Sequence, residues 1–152
     1  MNRRVPYGIM NFAELIEKNS YFVDKTQYIE KLEKYQNPVF LRPRRFGKSL
    51  FCSMLQYYYD LKEASRFHEL FGNTWIGNNP TDTHNQYIVL KFDFSVISVS
   101  EDIKKTESAF NQICVGRISQ LKYAYPNLMY DFPDFSPDTD ASTAFSLWLG
   151  YL

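Results

Sequence analysis

The chain has 152 residues, 45% of them hydrophobic and 18% aromatic, which is enough for one sizeable core and argues for a single domain or part of one. Its 17 basic and 17 acidic side chains cancel, so no global field draws it onto nucleic acid or an anionic membrane. No apolar run reaches the ~20 residues that span a bilayer, and the start of the chain lacks the charged-then-apolar layout of a secretory signal, so the expected location is the cytoplasm.

Phe12 to Lys18 carries a short helical pattern, followed by the aromatic stretch Tyr21-Phe22-Val23. Asp24 suits an N-cap with Gln27 three residues on, opening a helix through Tyr28, Ile29, Leu32 and Tyr35. Asp24-Lys25-Thr26 is thus either a cap or part of a functional site. Tyr21 and Phe22 are either core or an apolar face for a nucleobase.

Pro38-Val39-Phe40-Leu41 reads as a brief buried strand. Leu50, Phe51, Met54, Leu55 and Tyr58 then recur at helical spacing. Between them lies Arg42-Pro43-Arg44-Arg45-Phe46-Gly47-Lys48-Ser49. A phosphate-binding loop is a Gly, four variable residues and Gly-Lys-Ser/Thr between a strand and a helix, and here Arg42 stands at the first Gly. In such a loop the backbone N–H groups of Arg45, Phe46, Gly47, Lys48, Ser49 and Leu50 cradle phosphate. Gly47 allows close approach, Lys48 adds a point charge, and the Ser49 hydroxyl holds Mg²⁺. The bland alternative is an exposed basic turn before a helix. Arg44 and Arg45 suit a phosphate, a partner subunit or an exposed rim equally well.

Further along, Glu63 to Trp75 suggests a short helix ending near Gly72, and Gly77 to Asp82 a loop. Tyr87 to Ser95 reads as a strand of a covered sheet. Asp93 near its end invites a metal-binding role, but Phe94 and Ser95 follow in place of a second carboxylate. A long amphipathic helix is expected through Ile103, Phe110, Ile113, Cys114, Ile118 and Leu121, stopped at Tyr125-Pro126-Asn127. Asp131 to Asp140 is a loop that lacks the calcium-loop pattern. Ser142 or Thr143 should cap a last helix through Phe145, Leu147, Trp148 and Tyr151. Cys52 and Cys114 fall on apolar helix faces and are expected as buried thiols, while the isolated His68 and His84 suggest no metal site.

Tyr7-Gly8-Ile9, Tyr21-Phe22-Val23-Asp24-Lys25-Thr26 and Leu41 to Leu50, with Leu70-Phe71-Gly72-Asn73-Thr74-Trp75-Ile76 and Tyr87 to Ser95 after them, resemble in order and spacing the predicted AAA-ATPase-like proteins common in gut bacteria. That resemblance covers nearly the whole chain, and Arg at position 42 agrees with it. It implies an α/β P-loop NTPase fold, a parallel sheet flanked by helices, of which residues 1–152 form the N-terminal part, ending before the strand that carries the true catalytic carboxylates. Together the residues and the resemblance point to Mg²⁺-ATP as the ligand, with hydrolysis only in a longer parent protein and catalytic residues beyond Leu152. Two alternatives stand beside this. One is a regulatory or interaction module that binds nucleotide without turnover. The other is the ATPase part of a nucleic-acid-processing nuclease, reached through a further C-terminal domain.

Overall fold

The computed structural model describes residues 3–41, 43, 45–97 and 101–152. The chain divides into two compact units, Met1–Val89 and Leu90–Leu152.

In the first unit, α1 (Phe12–Glu17) and α3 (Lys48–Tyr59) are joined by a backbone-to-side-chain bond: the Phe12 N–H donates to Ser53 Oγ at 3.0 Å, in a buried position. Asn11 caps α1 by accepting from the Glu14 N–H. The short helices α2 (Tyr28–Leu32), α4 (Phe67–Phe71) and α5 (Trp75–Asn78) close around the pair. Phe12, Ile29, Met54, Tyr58, Leu70, Phe71 and Ile76 form the core. Its aromatic rings meet at offset and edge geometries, Phe12 lying 4.9 Å from Phe71 and Tyr58 lying 5.5 Å from it, as the ring quadrupoles favour. Glu33, just past α2, accepts from the hydroxyls of Tyr59, Thr81 and Thr83. Burial, with Glu33 beside it, pushes the Tyr59 hydroxyl well above its ordinary pKa.

Asp24 and Thr26 act at a distance. The Trp75 N–H donates to Asp24 Oδ2 at 2.7 Å and the Ile76 N–H to Thr26 Oγ1 at 3.0 Å, while Thr74 Oγ1 accepts from the Gly77 N–H at 3.2 Å. Three successive orphan donors of α5 are met in this way. Asp24 also accepts from the Thr26 N–H at 2.8 Å. The expected cap of α2 is therefore corrected: α2 begins after Gln27, whose side chain makes no cap, and the second oxygen of Asp24 serves α5.

The second unit is built on α6 (Ile103–Ala124) and α7 (Ala141–Tyr151). Cys114, Ile118 and Leu121 of α6 are buried, as are Tyr125, Met129 and Phe132 beyond it and Ala141 and Ala144 of α7. Burial raises the Cys114 thiol pKa. Ile103, expected on the apolar face, is exposed instead. The Ala141 N–H donates to Asn111 Oδ1 at 3.1 Å, fixing the start of α7 against α6. Asp140, and not Ser142 or Thr143, is the cap of α7: it accepts from the Thr143 N–H and hydroxyl, both at 2.9 Å. Those bonds hold its carboxyl below the usual carboxylate range. A depressed folded-state pKa means that this cap supports α7 above the ordinary Asp range and weakens as pH falls through the folded value.

The expected parallel sheet is overturned. Among the described residues there is no β-strand, and about 51% are helical. Among the described residues, β-type pairing is recorded as two isolated parallel bridges, Arg4 with Ser20 and Asp60 with Tyr87. An apolar run becomes a strand only when a neighbour exchanges N–H···O=C bonds with it over several residues. Pro38 to Leu41 instead runs along the surface, with Val39 81% and Leu41 89% exposed. Tyr87 bridges to Asp60, and the run then passes into a 3-10 turn, Phe94–Val96. Cys52 is corrected too, being exposed. At about 100° per residue it lies about 200° around α3 from Leu50, opposite the stripe that continues through Met54 and Tyr58.

Thr26→Val keeps the side-chain shape but removes the acceptor, leaving the fully buried Ile76 N–H without its bond. We expect a loss of about 1–3 kcal/mol in urea unfolding followed by circular dichroism, with Thr26→Ser much closer to wild type. Equal stability of Thr26→Val and wild type would remove this cap from the account of the fold.

Candidate functional site

The helix α3 opens at Gly47, which sits in the left-handed region at φ 74°, ψ 18° and has no side chain with which to cap the helix. Arg45 is left-handed as well, at φ 65°. Left-handed residues thus stand on either side of Phe46, and backbone turns with left-handed residues are among those whose N–H groups bind anions. Lys48 and Ser49 are the first two residues of the 12-residue α3, so the positive end of the helix dipole adds to the loop's own field. The core face of α3 and the Ser53 bond to α1 hold this helix end in place.

Arg45, Gly47, Lys48, Ser49 and Leu50 line one wall of an open cavity of about 550 Å³. Tyr7, Gly8, Ile9 and Met10 form the other wall. The cationic side chains of Arg45 and Lys48 and the hydroxyls of Tyr7 and Ser49 line it, and among the described residues no carboxylate does. A second cavity of about 350 Å³ shares Gly47 and Leu50 with the first and is walled by apolar residues including Tyr21, Phe22 and Phe46. The expected loop residues Arg45 to Leu50 are thus brought together, with Phe46 facing the second cavity and the others the first. Arg42 and Arg44 lie outside the described residues.

The residues sequence reasoning missed are those of the 7–10 segment. Tyr7-Gly8-Ile9 stood out in the sequence by resemblance alone, without a role. Its signal was a Gly in an otherwise bulky stretch, and Gly8 proves to be left-handed at φ 69°. Asp93 belongs to the second unit, exposed, where it accepts from the Ser95 N–H at 3.0 Å and caps the 3-10 turn. The Ser95 hydrogen bonds, side chain first and backbone next, lower its pKa. Among the described residues no cluster of three or more His, Cys, Asp or Glu side chains is placed to hold a metal ion. The described helices include none long and apolar enough to cross a membrane.

A family profile described as Predicted AAA-ATPase matches residues 6–151. A protein of Azotobacter chroococcum mcd 1, described as an uncharacterized protein in the vnfD 5′ region, is 46% identical over 55 residues. That stretch is 35% of this chain and 11% of the relative, so the match spans a small part of the relative's length. No solved structure matches the chain.

A Cβ added at Gly47 meets nothing within 4 Å, so Gly47→Ala is opposed by backbone conformation alone, at about 1–2 kcal/mol. The same change at Gly116, inside α6 and equally open, should stabilise by up to about 1 kcal/mol. Chemical unfolding of the two variants should therefore shift in opposite directions. A neutral Gly47→Ala would contradict the left-handed conformation at the mouth of α3.

Proposed function

The chain belongs to the family of predicted AAA-ATPases, and from that premise we propose that it binds Mg²⁺-ATP through the loop Arg45 to Leu50. The observation that carries this reading is the pair of left-handed residues, Arg45 and Gly47, leading into α3 beside a cavity lined by cations and, among the described residues, by no carboxylate. The N–H groups of the loop donate to the phosphate oxygens, Lys48 supplies the point charge at the β and γ phosphates, and the Ser49 hydroxyl takes a place on the metal. The residues present fit the group in size, charge and donor type. Arg45 stands on the same wall, close enough to the cradle to add to its field.

Turnover asks for more than a cradle: a carboxylate to position the metal and a group to orient the attacking water. Asp93 spends its carboxylate on the cap of a 3-10 turn. This favours nucleotide binding by these residues without hydrolysis at an enzymatic rate, with ATP hydrolysis in the cytoplasm proposed only for a longer protein that contains them.

Lys48→Ala removes the charge nearest the phosphates while keeping a good helix former at the start of α3. A charge-assisted contact is worth about 1.5–3 kcal/mol, so titration calorimetry with Mg²⁺-ATP should show at least a tenfold loss of affinity. Asp93→Asn should leave that affinity unchanged. Unaltered binding by a folded Lys48→Ala protein would sink the cradle.

A further inference from the structure

We infer that the groove along α6 in the second unit is a binding site for an extended peptide that carries a basic side chain and an apolar one. The inference is independent of the phosphate loop and rests on residues of the second unit alone.

An open cavity of about 720 Å³ runs along α6 from Lys104 to Ser119, and residues 135–139 form its facing wall. At about 1.5 Å per residue that stretch of helix is about 22 Å long, the length of about six or seven residues of extended chain. Its floor is low toward the Ser119 end. Gly116 has no side chain, and a Cβ placed there meets nothing within 4 Å. Ser119 folds its hydroxyl back onto the Val115 carbonyl at 2.8 Å. A backbone can therefore lie close against the helix at this point.

The groove is held in shape by contacts within the unit. The Ser136 and Thr139 hydroxyls pair at 3.0 Å, and the Thr139 N–H donates to the Ser136 carbonyl at 3.1 Å. Phe135 meets the buried Phe132 ring edge to face at 5.5 Å, and Asn111 Oδ1 is tied to the Ala141 N–H at 3.1 Å. A site organised in this way gives up little freedom on binding.

Its side chains suit a peptide. Among the described residues, Glu107, Gln112 and Asp138 have no hydrogen-bond or ion-pair partner within the protein, and the Asn111 amide uses only its oxygen. A peptide presents an N–H and a C=O at each residue, and a side-chain amide can meet both, with its own oxygen and NH₂ group. Val115, Phe135 and Pro137 offer an apolar patch to one side chain. The charged groups of the lining are Lys104 against Glu107 and Asp138, so one negative charge is left over. That balance favours a cation on the peptide and disfavours a polyanion such as nucleic acid. A neutral saccharide offers hydroxyls to the amides but no cation to the carboxylates.

The test is an array of acetylated, amidated heptapeptides varied one position at a time and probed with the whole chain, followed by fluorescence polarisation on the selected peptides. Selection should fix Lys or Arg at one position and a large apolar residue at another. Gly116→Leu fills the floor without a clash inside the fold, and should weaken the selected peptides by at least about fivefold, the scale of an overpacked contact. Asp138→Asn should weaken them by about two- to fivefold, the scale of an exposed ion pair, and leave counterparts without the basic residue unchanged. Circular dichroism checks the fold of each variant. An array with no selected sequence, or one that favours acidic residues, overturns the inference. So does undiminished binding by folded Gly116→Leu, or indifference of the basic peptides to both Asp138→Asn and Glu107→Gln. Binding of maltoheptaose that Gly116→Leu abolishes, with no peptide selected, would assign the groove to a saccharide instead.

Discussion

The first unit depends on the capping of α5 by side chains from the other end of its sequence. A four-residue helix cannot sustain itself, because nucleating a helix fixes several dihedral angles for few hydrogen bonds. Its N–H groups are satisfied by Asp24 and Thr26, which lie 51 and 50 residues away, and by Thr74. Thr26 and Ile76 are both fully buried, so water cannot substitute in that bond, and leaving it unmade costs the desolvation of an amide. The cap therefore fixes where the segment 21–26 runs, and the aromatic wall Tyr21-Phe22-Val23 is drawn along with it.

From that wall the constraint passes to the loop. Phe22 packs on Phe12, the Phe12 N–H is bound by Ser53, and Ser53 sits on the buried face of α3. The N-terminal end of α3 is thus aimed by contacts on its core side, while Arg45 to Ser49 stay in solvent. This division suits an anion site. A cradle must leave its N–H groups accessible, so the scaffold that orients them has to act from behind. Two left-handed residues, one of them an arginine, mark where the backbone departs from its easy conformations at the head of α3.

The second unit is assembled by the same means. Asp102 and Asp140 cap α6 and α7, and Asn111 of α6 reaches the Ala141 N–H beside the second cap. Aromatic contacts continue the packing, Phe132 against Tyr151 and Phe92 against Phe145. Asp93, which by sequence resembled a metal-binding carboxylate at a strand end, is a further cap of this kind. An Asp preceding a turn has both uses open to it, and only its surroundings decide between them.

The sequence by itself determined the main helices and placed Gly47-Lys48-Ser49 at the head of one of them. The spans of α1, α3, α6 and α7 follow from apolar residues at helical spacing, because a helix makes its hydrogen bonds within a few residues of the chain. Gly47-Lys48-Ser49 at the head of α3 was legible for the same reason, as loop and helix are contiguous. What only the tertiary structure decided depends on partners distant in sequence. Pro38 to Leu41 and Tyr87 to Ser95 had the composition of strands, but composition does not supply a neighbouring strand to bond with. Asp24 was readable as a cap, though not as the cap of a helix that begins 51 residues later. Cys52 required knowing which side of α3 meets the core, and the cavity walls at Tyr7 to Met10 and Tyr21 to Val23 exist only because folding carries those segments to the mouth of α3.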